Sequence, residues 1–273
     1  MGLILAGFVL GVAGVWMFSF VPGGAAETHG PDLRAHLRQM GRALADRSYL
    51  YLLVGMGLVT VAWGPLLSFV PLFMKERVGI GAGHIVLLDV CFYAGIALTS
   101  YVWGWASDRY GSKPVMMTGL LLMILPPLCW FLMPRHSVWS TPAAMVVALV
   151  TGLSNVGYGM GFGRYLFVSA VPSSQKMAYL TVYNAWSGLV AGAGPLVAGR
   201  VLDLCGGIDR RISPLGLPIM IDQFTPLFAA ALLLTLLGVL MLGKVRSDGA
   251  MPTGKFVGMF VQGNPLLAVQ FGD

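Results

Sequence analysis

Charge is what this sequence has least of. Only 10% of its 273 residues are Asp, Glu, Lys or Arg, against roughly 25% in soluble domains. With 57% hydrophobic residues and a mean hydropathy of +0.79, the chain cannot cover a folded surface with polar groups. Lipid must be the solvent over most of its length. Cysteine is also scarce. Cys91, Cys129 and Cys205 lie far apart, are odd in number and form no CxxC, so neither a disulfide framework nor a zinc site is supported. They read as apolar packing residues. The four histidines, His29, His36, His84 and His136, have no HxxxH spacing, and no metal is expected. The sequence has no HExxH, no phosphate-binding loop, no Ser/His/Asp set and no paired intramembrane carboxylates. Neither an enzyme nor a cofactor is expected. The net charge of +6 is scattered between apolar runs, which argues against nucleic acid as a partner.

What the chain does have is apolar runs of spanning length. They are Leu3–Val21, Tyr49–Met74, His84–Trp105, Pro114–Met133, Ala143–Val171, Ala178–Val201 and Phe224–Leu242, and a helix needs about 20 residues to cross a bilayer. The pattern predicts an all-α membrane protein with about seven transmembrane helices. The first run is long for a signal peptide and no positive segment precedes it, so it reads as a retained helix. Residues 22–48 form a basic linker opened by the turn signal Pro22-Gly23-Gly24. Within it Leu33, Leu37, Met40 and Leu44 recur at helical spacing among Arg34, Arg38, Arg42 and Arg47. That is an amphipathic helix suited to the lipid headgroups. Residues 49–242 then make a six-helix bundle, and 243–273 a polar tail.

Lys and Arg in alternate loops give the orientation. One set holds Arg34, Arg38, Arg42, Arg47, Arg109, Lys113, Arg164, Lys176, Lys244, Arg246 and Lys255. The other holds Lys75, Arg77, Arg135, Arg200, Arg210 and Arg211. The richer set is expected in the cytoplasm, with the N-terminus outside and the C-terminus inside.

Between the third and fourth runs lies Gly104-Trp105-Ala106-Ser107-Asp108-Arg109-Tyr110-Gly111-Ser112-Lys113, read as a short polar turn. Its frame of Gly104, Asp108, Arg109, Gly111 and Lys113 resembles the loop signature G-x-x-x-D-R-x-G-x-K/R of the major facilitator superfamily. The segment Ala178–Ala185 followed by Gly194–Gly199 is similar to the eleventh helix of bacterial members, and Asp46-Arg47-Ser48-Tyr49 to the start of their seventh. Laid on a twelve-helix member, the chain resembles helices six to twelve. The resemblance implies transport of a small solute by alternating access in a bacterial cytoplasmic membrane, driven by an ion gradient or the solute's own. It also implies that the signature loop is a conformational switch held at the anionic inner leaflet by Arg109 and Lys113. Helices one to five have no counterpart, so the chain is expected to be a truncated transporter, or a half-size subunit needing a second chain. A start at Met1 directly before a span favours truncation. The tripeptide Asp108-Arg109-Tyr110 also permits a seven-helix receptor. However, the loop Pro134–Thr141 lacks a cysteine to bridge Cys91, and neither CWxP nor Asn-Pro-x-x-Tyr occurs in the last spans.

Charged residues inside spans mark candidate function. Asp89 lies five residues into its run, on the outer side, and is the candidate for ion coupling. Arg164 is expected about 10 Å inside the opposite end, facing a cavity as a substrate or gating residue. The two lie too far apart in depth for a salt bridge. Trp63, Tyr93, Asn155, Asn184 and Trp186 are expected to line the central cavity with Arg164. Gly188, Gly192, Gly194 and Pro195 are expected at a close helix contact with a kink, and Trp63-Gly64-Pro65 at a second kink. The run Gly157-x-Gly159-x-Gly161-x-Gly163 lies inside an apolar span and is not a nucleotide loop.

Overall fold

A computed structural model describes residues 2–18, 20, 33–172, 175–207, 209–212, 219–246, 252, 254–256 and 258. The chain divides into two compact units, Met1–His36 and Leu37–Asp273. The first holds α1 (Gly2–Phe18), 17 residues without a charge. Its Phe8, Leu10, Val15 and Trp16 are exposed, as suits a helix solvated by lipid. Next in the chain is α2 (Leu33–Ala45), which crosses the division and carries the basic amphipathic pattern.

The second unit continues with α3 (Arg47–Phe73), α4 (Ala82–Tyr110), α5 (Ser112–Leu122), α6 (Leu125–Phe131), α7 (Ser140–Arg164), α8 (Lys176–Leu204) and α9 (Thr225–Gly243). π-helical segments prolong α3 over Met74–Val78 and α7 over Tyr165–Ala170. α5 and α6 form one span, broken at Met123-Ile124 ahead of Pro126-Pro127, whose missing N–H groups cannot continue the ladder. Among the described residues six helices are therefore long and apolar enough to cross a membrane, from Arg47–Val78 to Thr225–Gly243. Those built on α3, α4, α7 and α8 run longer than the hydrophobic runs because their end turns are still helical. The connection after α8 departs from the all-α reading. Strands β1 (Asp209–Ile212) and β2 (Ile219–Asp222) pair antiparallel, with Asp209 opposite Asp222. Outside the spans, backbone groups with no helix to join find partners in this short ladder.

α7 packs against α4 and α5, while α3 packs against α8 and α9; α6 touches α7 and α9. Lipid gives helices no hydrophobic reason to associate, so close backbone approach must supply the packing. Glycines provide it. A Cβ at Gly95 of α4 would lie 2.2 Å from the Leu149 carbonyl oxygen, and one at Gly152 of α7 2.0 Å from that of Phe92. The α5–α7 contact repeats the device, with Gly119 at 2.2 Å from the Tyr158 nitrogen and Gly161 at 2.3 Å from that of Met116. Of the glycine-rich run of α7, Gly157 and Gly161 thus pack against neighbouring helices, while Gly159 and Gly163 face open space. Gly188 and Gly192, expected at a close contact, face open space; Gly194 alone of that set meets another helix, its Cβ position 3.5 Å from Pro65. α3 continues through Pro65 and Pro71.

Gly152→Ala should lower the unfolding temperature in detergent, since overpacking costs about 1–3 kcal/mol. Gly159→Ala, with nothing within 4 Å, should leave it unchanged or raise it. Equal effects would show that the α4–α7 approach is not tight.

Candidate functional site at the signature end

The decapeptide expected to be a turn is mostly helix. α4 runs through Tyr110 and α5 starts at Ser112, leaving Gly111 alone between them, at φ 98° and ψ 165°. That backbone region is essentially restricted to glycine, and one residue there suffices to reverse the chain. Gly104 lies two turns back in α4 with open space over it. Asp108 projects from the last turn of α4. Arg109 lays its guanidinium over the Trp105 ring at 5.9 Å, a cation–π contact. The resemblance implies that Lys113 faces the headgroups. Instead its ammonium turns onto α9, donating to the carbonyls of Gly243 at 3.0 Å and of Val245. The last carbonyls of a helix have no partner within it, and a cation there also meets the negative end of the helix dipole. Phe256 of the tail is buried against Trp103, Ala106, Tyr110 and Val115 in the corner between α4 and α5.

Arg164 sits six residues before Ala170, the end of its helix. Rather than facing a cavity, it forms an ion pair with Asp108, at the level of the α4 terminus. α4 is the helix that outruns its apolar run, reaching Tyr110 rather than Trp105, and this brings Asp108 beside Arg164. The side chains are 38% and 75% exposed, and a pair so accessible contributes about 0–1 kcal/mol in water. Its interest lies in the helices it joins. Next to it, the Tyr165 hydroxyl donates to the Arg246 carbonyl at 2.8 Å. The Arg246 amide donates to Ser48 Oγ at 3.2 Å. Asp46 caps α3 by accepting from the Ser48 amide at 2.9 Å, and the Tyr49 hydroxyl donates to the Tyr179 carbonyl at 2.5 Å. Together with Lys113, these side chain-to-backbone bonds tie the ends of α3, α5, α7, α8 and α9, and the ion pair adds α4. Sequence reasoning missed Ser48, Tyr49 and Tyr165. The available signal was the cap pattern of an Asp followed by a Ser, and a Tyr directly after a terminal Arg.

The remaining candidates are dispersed rather than gathered. Asp89 and Tyr93 share a pocket of about 200 Å³ with Phe92 and Trp130. Nineteen residues separate Asp89 from Asp108, about 28 Å along α4, so Asp89 and Arg164 do lie at opposite ends. Trp63 is 4% exposed and donates to Thr235 Oγ1 of α9 at 3.2 Å. Trp186 donates to the Leu53 carbonyl at 2.9 Å. Both indoles reach neighbouring helices because a buried N–H needs an acceptor. Asn184 is exposed on α8 and Asn155 half-buried on α7. Among the described residues no cluster of three His, Cys, Asp or Glu could hold a metal ion.

The opposite end has a polar centre that the sequence did not disclose. Arg135 pairs with Asp222 at 2.9 Å, the side chains 11% and 1% exposed. Asp222 also caps α9, accepting from the amides of Phe224 at 2.9 Å and Thr225 at 3.2 Å. The Arg135 guanidinium lies 5.5 Å over the Phe73 ring. Breaking one side of a buried pair costs about 3–5 kcal/mol.

Six apolar spans with their ends tied by side-chain bonds, and polar centres at both ends, define a polytopic membrane bundle. The model of the Major Facilitator Superfamily matches residues 52–259, and the chain belongs to that family, which removes the receptor reading. It is similar to the multi-drug resistance efflux pump PmrA of Streptococcus pneumoniae, 26% identical over 162 residues, covering 52% of this chain and 34% of the pump. It is also similar to the glycine betaine/proline/ectoine/pipecolic acid transporter OusA of Dickeya dadantii, 24% identical over 171 residues, covering 59% and 32%. The ectoine/proline transporter ProP of Corynebacterium glutamicum is 24% identical over 163 residues, covering 57% and 31%. The chain thus spans about a third of the length of these relatives, all transporters or pumps by name. In fold it resembles a crystal structure of tetrameric PepTSo2, with a TM-score of 0.59 at 15% identity, over 79% of this chain and 46% of that one.

Lys113→Met should free the last carbonyls of α9. A cation at a helix C-terminus is worth about 0.3–1 kcal/mol, so hydrogen exchange at Lys244 and Val245 should speed up about two- to fivefold. Unchanged exchange would remove the link between α5 and α9.

Proposed function

We propose that this chain supplies the C-terminal half of a Major Facilitator Superfamily transporter, moving a small solute by alternating access. The observation that carries the reading is the ion pair between Asp108 of the signature and Arg164 of α7. It ties two helices at one end of the bundle, is accessible to solvent, and contributes little stability, so it can be made in one state and released in the other. The missing wall of the pathway comes either from the rest of a longer protein, of which this is a truncated chain, or from a second chain. The least buried spans support the need for it. In α4 and α8 only 11% and 17% of the most apolar stretch is buried, and the open glycines Gly188 and Gly192 lie on α8. Asp89 and Tyr93, in their pocket near the other end, are the candidates for contacting solute or coupling ion. The relatives' names cover multidrug efflux and transport of glycine betaine, proline and ectoine, and favour no single solute. The reading places the protein in a bacterial cytoplasmic membrane, with the C-terminus and signature end inside.

The test needs the complete assembly: this chain expressed alone and beside a full-length relative, with uptake and oligomeric state measured. Arg164→Gln should cut uptake at least about tenfold, the effect of a gating barrier altered by about 1.4 kcal/mol. The exchanged pair Asp108→Arg with Arg164→Asp should restore a substantial part of it. Unchanged uptake in Arg164→Gln would rule out a role for the pair.

Asp89→Asn should abolish uptake driven by a pH gradient while leaving solute exchange intact. Normal pH-driven uptake in that variant would exclude Asp89 as a proton carrier.

A further inference from the structure

The same end of the bundle carries a second concavity that the signature residues do not touch. It is bounded by Leu44 at the end of α2, Leu50 and Val54 on α3, and Ala185, Trp186 and Leu189 on α8, with a volume of about 450 Å³. Its lining is apolar. The one polar side-chain group, the Trp186 indole N–H, is already committed to the Leu53 carbonyl. A polar solute would find no hydrogen bond here. Leu44, Leu50 and Leu189 stand 50%, 42% and 65% exposed along it. The groove follows α8 from Val182 to Leu189, about 10 Å at 1.5 Å per residue. That is about a third of a hydrocarbon core roughly 30 Å thick.

One end of this groove is basic. Arg47 precedes Leu50 by three residues and Val54 by seven on α3, spacings that put all three on one helix stripe. Arg47 therefore lies on that stripe one turn before the groove, and it is exposed. α2 arrives at the same place, adding exposed Arg38 and Arg42 beside exposed Leu37 and Leu44. A helix of that kind lies in the headgroup plane. An apolar slot inside the bilayer that ends beneath guanidinium groups is the complement of one molecule: an acyl chain bearing an anionic phosphate headgroup.

We propose that this groove binds one anionic phospholipid, an acyl chain lying against Leu50, Val54, Trp186 and Leu189 and the phosphate meeting Arg47. The assignment requires this stretch of α8 to face lipid and not the missing wall of the pathway, and the outcome with a protein helix in the groove separates the two. Trp186 is the reporter, because a brominated acyl chain quenches an indole it touches. The full chain, purified in detergent, is titrated with phosphatidylglycerol carrying a dibrominated acyl chain. Saturable quenching is expected, and the quenched component should be missing in Trp186→Phe. Dibrominated phosphatidylcholine should bind about fivefold more weakly, the contribution of one arginine at a membrane surface, and Arg47→Gln should remove that preference. Ala185→Phe, at an exposed position, should fill the groove and abolish saturable quenching without disturbing the core. Equal quenching by the two lipids, quenching without saturation, or insensitivity to both Arg47→Gln and Ala185→Phe would overturn the site. So would an unquenched Trp186, the result expected if a protein helix occupies the groove.

Discussion

Everything at the signature end depends on how closely α7 approaches its neighbours. Gly152 admits the Phe92 carbonyl of α4, and Gly161 admits the Met116 backbone of α5. With backbones at that separation, Arg164 at the end of α7 reaches Asp108 at the end of α4. A side chain on either glycine would widen the gap. The packing force is dispersion and weak backbone contact, because lipid solvates a leucine as well as a neighbouring helix does. The arrangement of glycines therefore fixes where the charges meet.

The two ends of the bundle solve the same electrostatic problem differently. At the signature end charges are accessible and spread. Lys113 sits on helix carbonyls, Arg109 on an indole face, and Arg164 on an exposed carboxylate. At the other end one pair is sealed in, with Asp222 capping α9 while holding Arg135 over Phe73. A sealed pair is costly to break and an open one is not. That contrast assigns rigidity to the Arg135–Asp222 end and adjustability to the Asp108–Arg164 end.

Much of this architecture was legible in the sequence. The spans announce themselves because a bilayer admits only long apolar helices, and the signature frame of Gly104, Asp108, Arg109, Gly111 and Lys113 led to the family that the residue 52–259 match establishes. The ends of helices were harder. Polar turns at Arg47 and Tyr110 are still helical, which hydropathy cannot reveal, so the sequence puts Asp108 in a loop when it sits on a helix end beside Arg164. Partners were harder still. Mid-span polarity at Trp63 and Trp186 suggests a cavity, but each indole is explained by an acceptor on the next helix. Arg135 and Asp222 lie 87 residues apart in the sequence, and no local pattern connects them. The glycines showed the same limit: small-residue spacing singled out Gly188 and Gly192, while the close approaches are made by Gly95, Gly119, Gly152 and Gly161.

The joint at Gly111 has a mechanical consequence. Consecutive Cα atoms are 3.8 Å apart, so two long helices linked by a single residue have almost no slack between them. A tilt of α4 cannot be absorbed in a loop and must drag the start of α5. Lys113 then passes the pull to the last carbonyls of α9, and Arg164 passes it back along α7. Four helices are coupled in series through one glycine and two cationic side chains, so a displacement delivered at any one of them is felt at the other three.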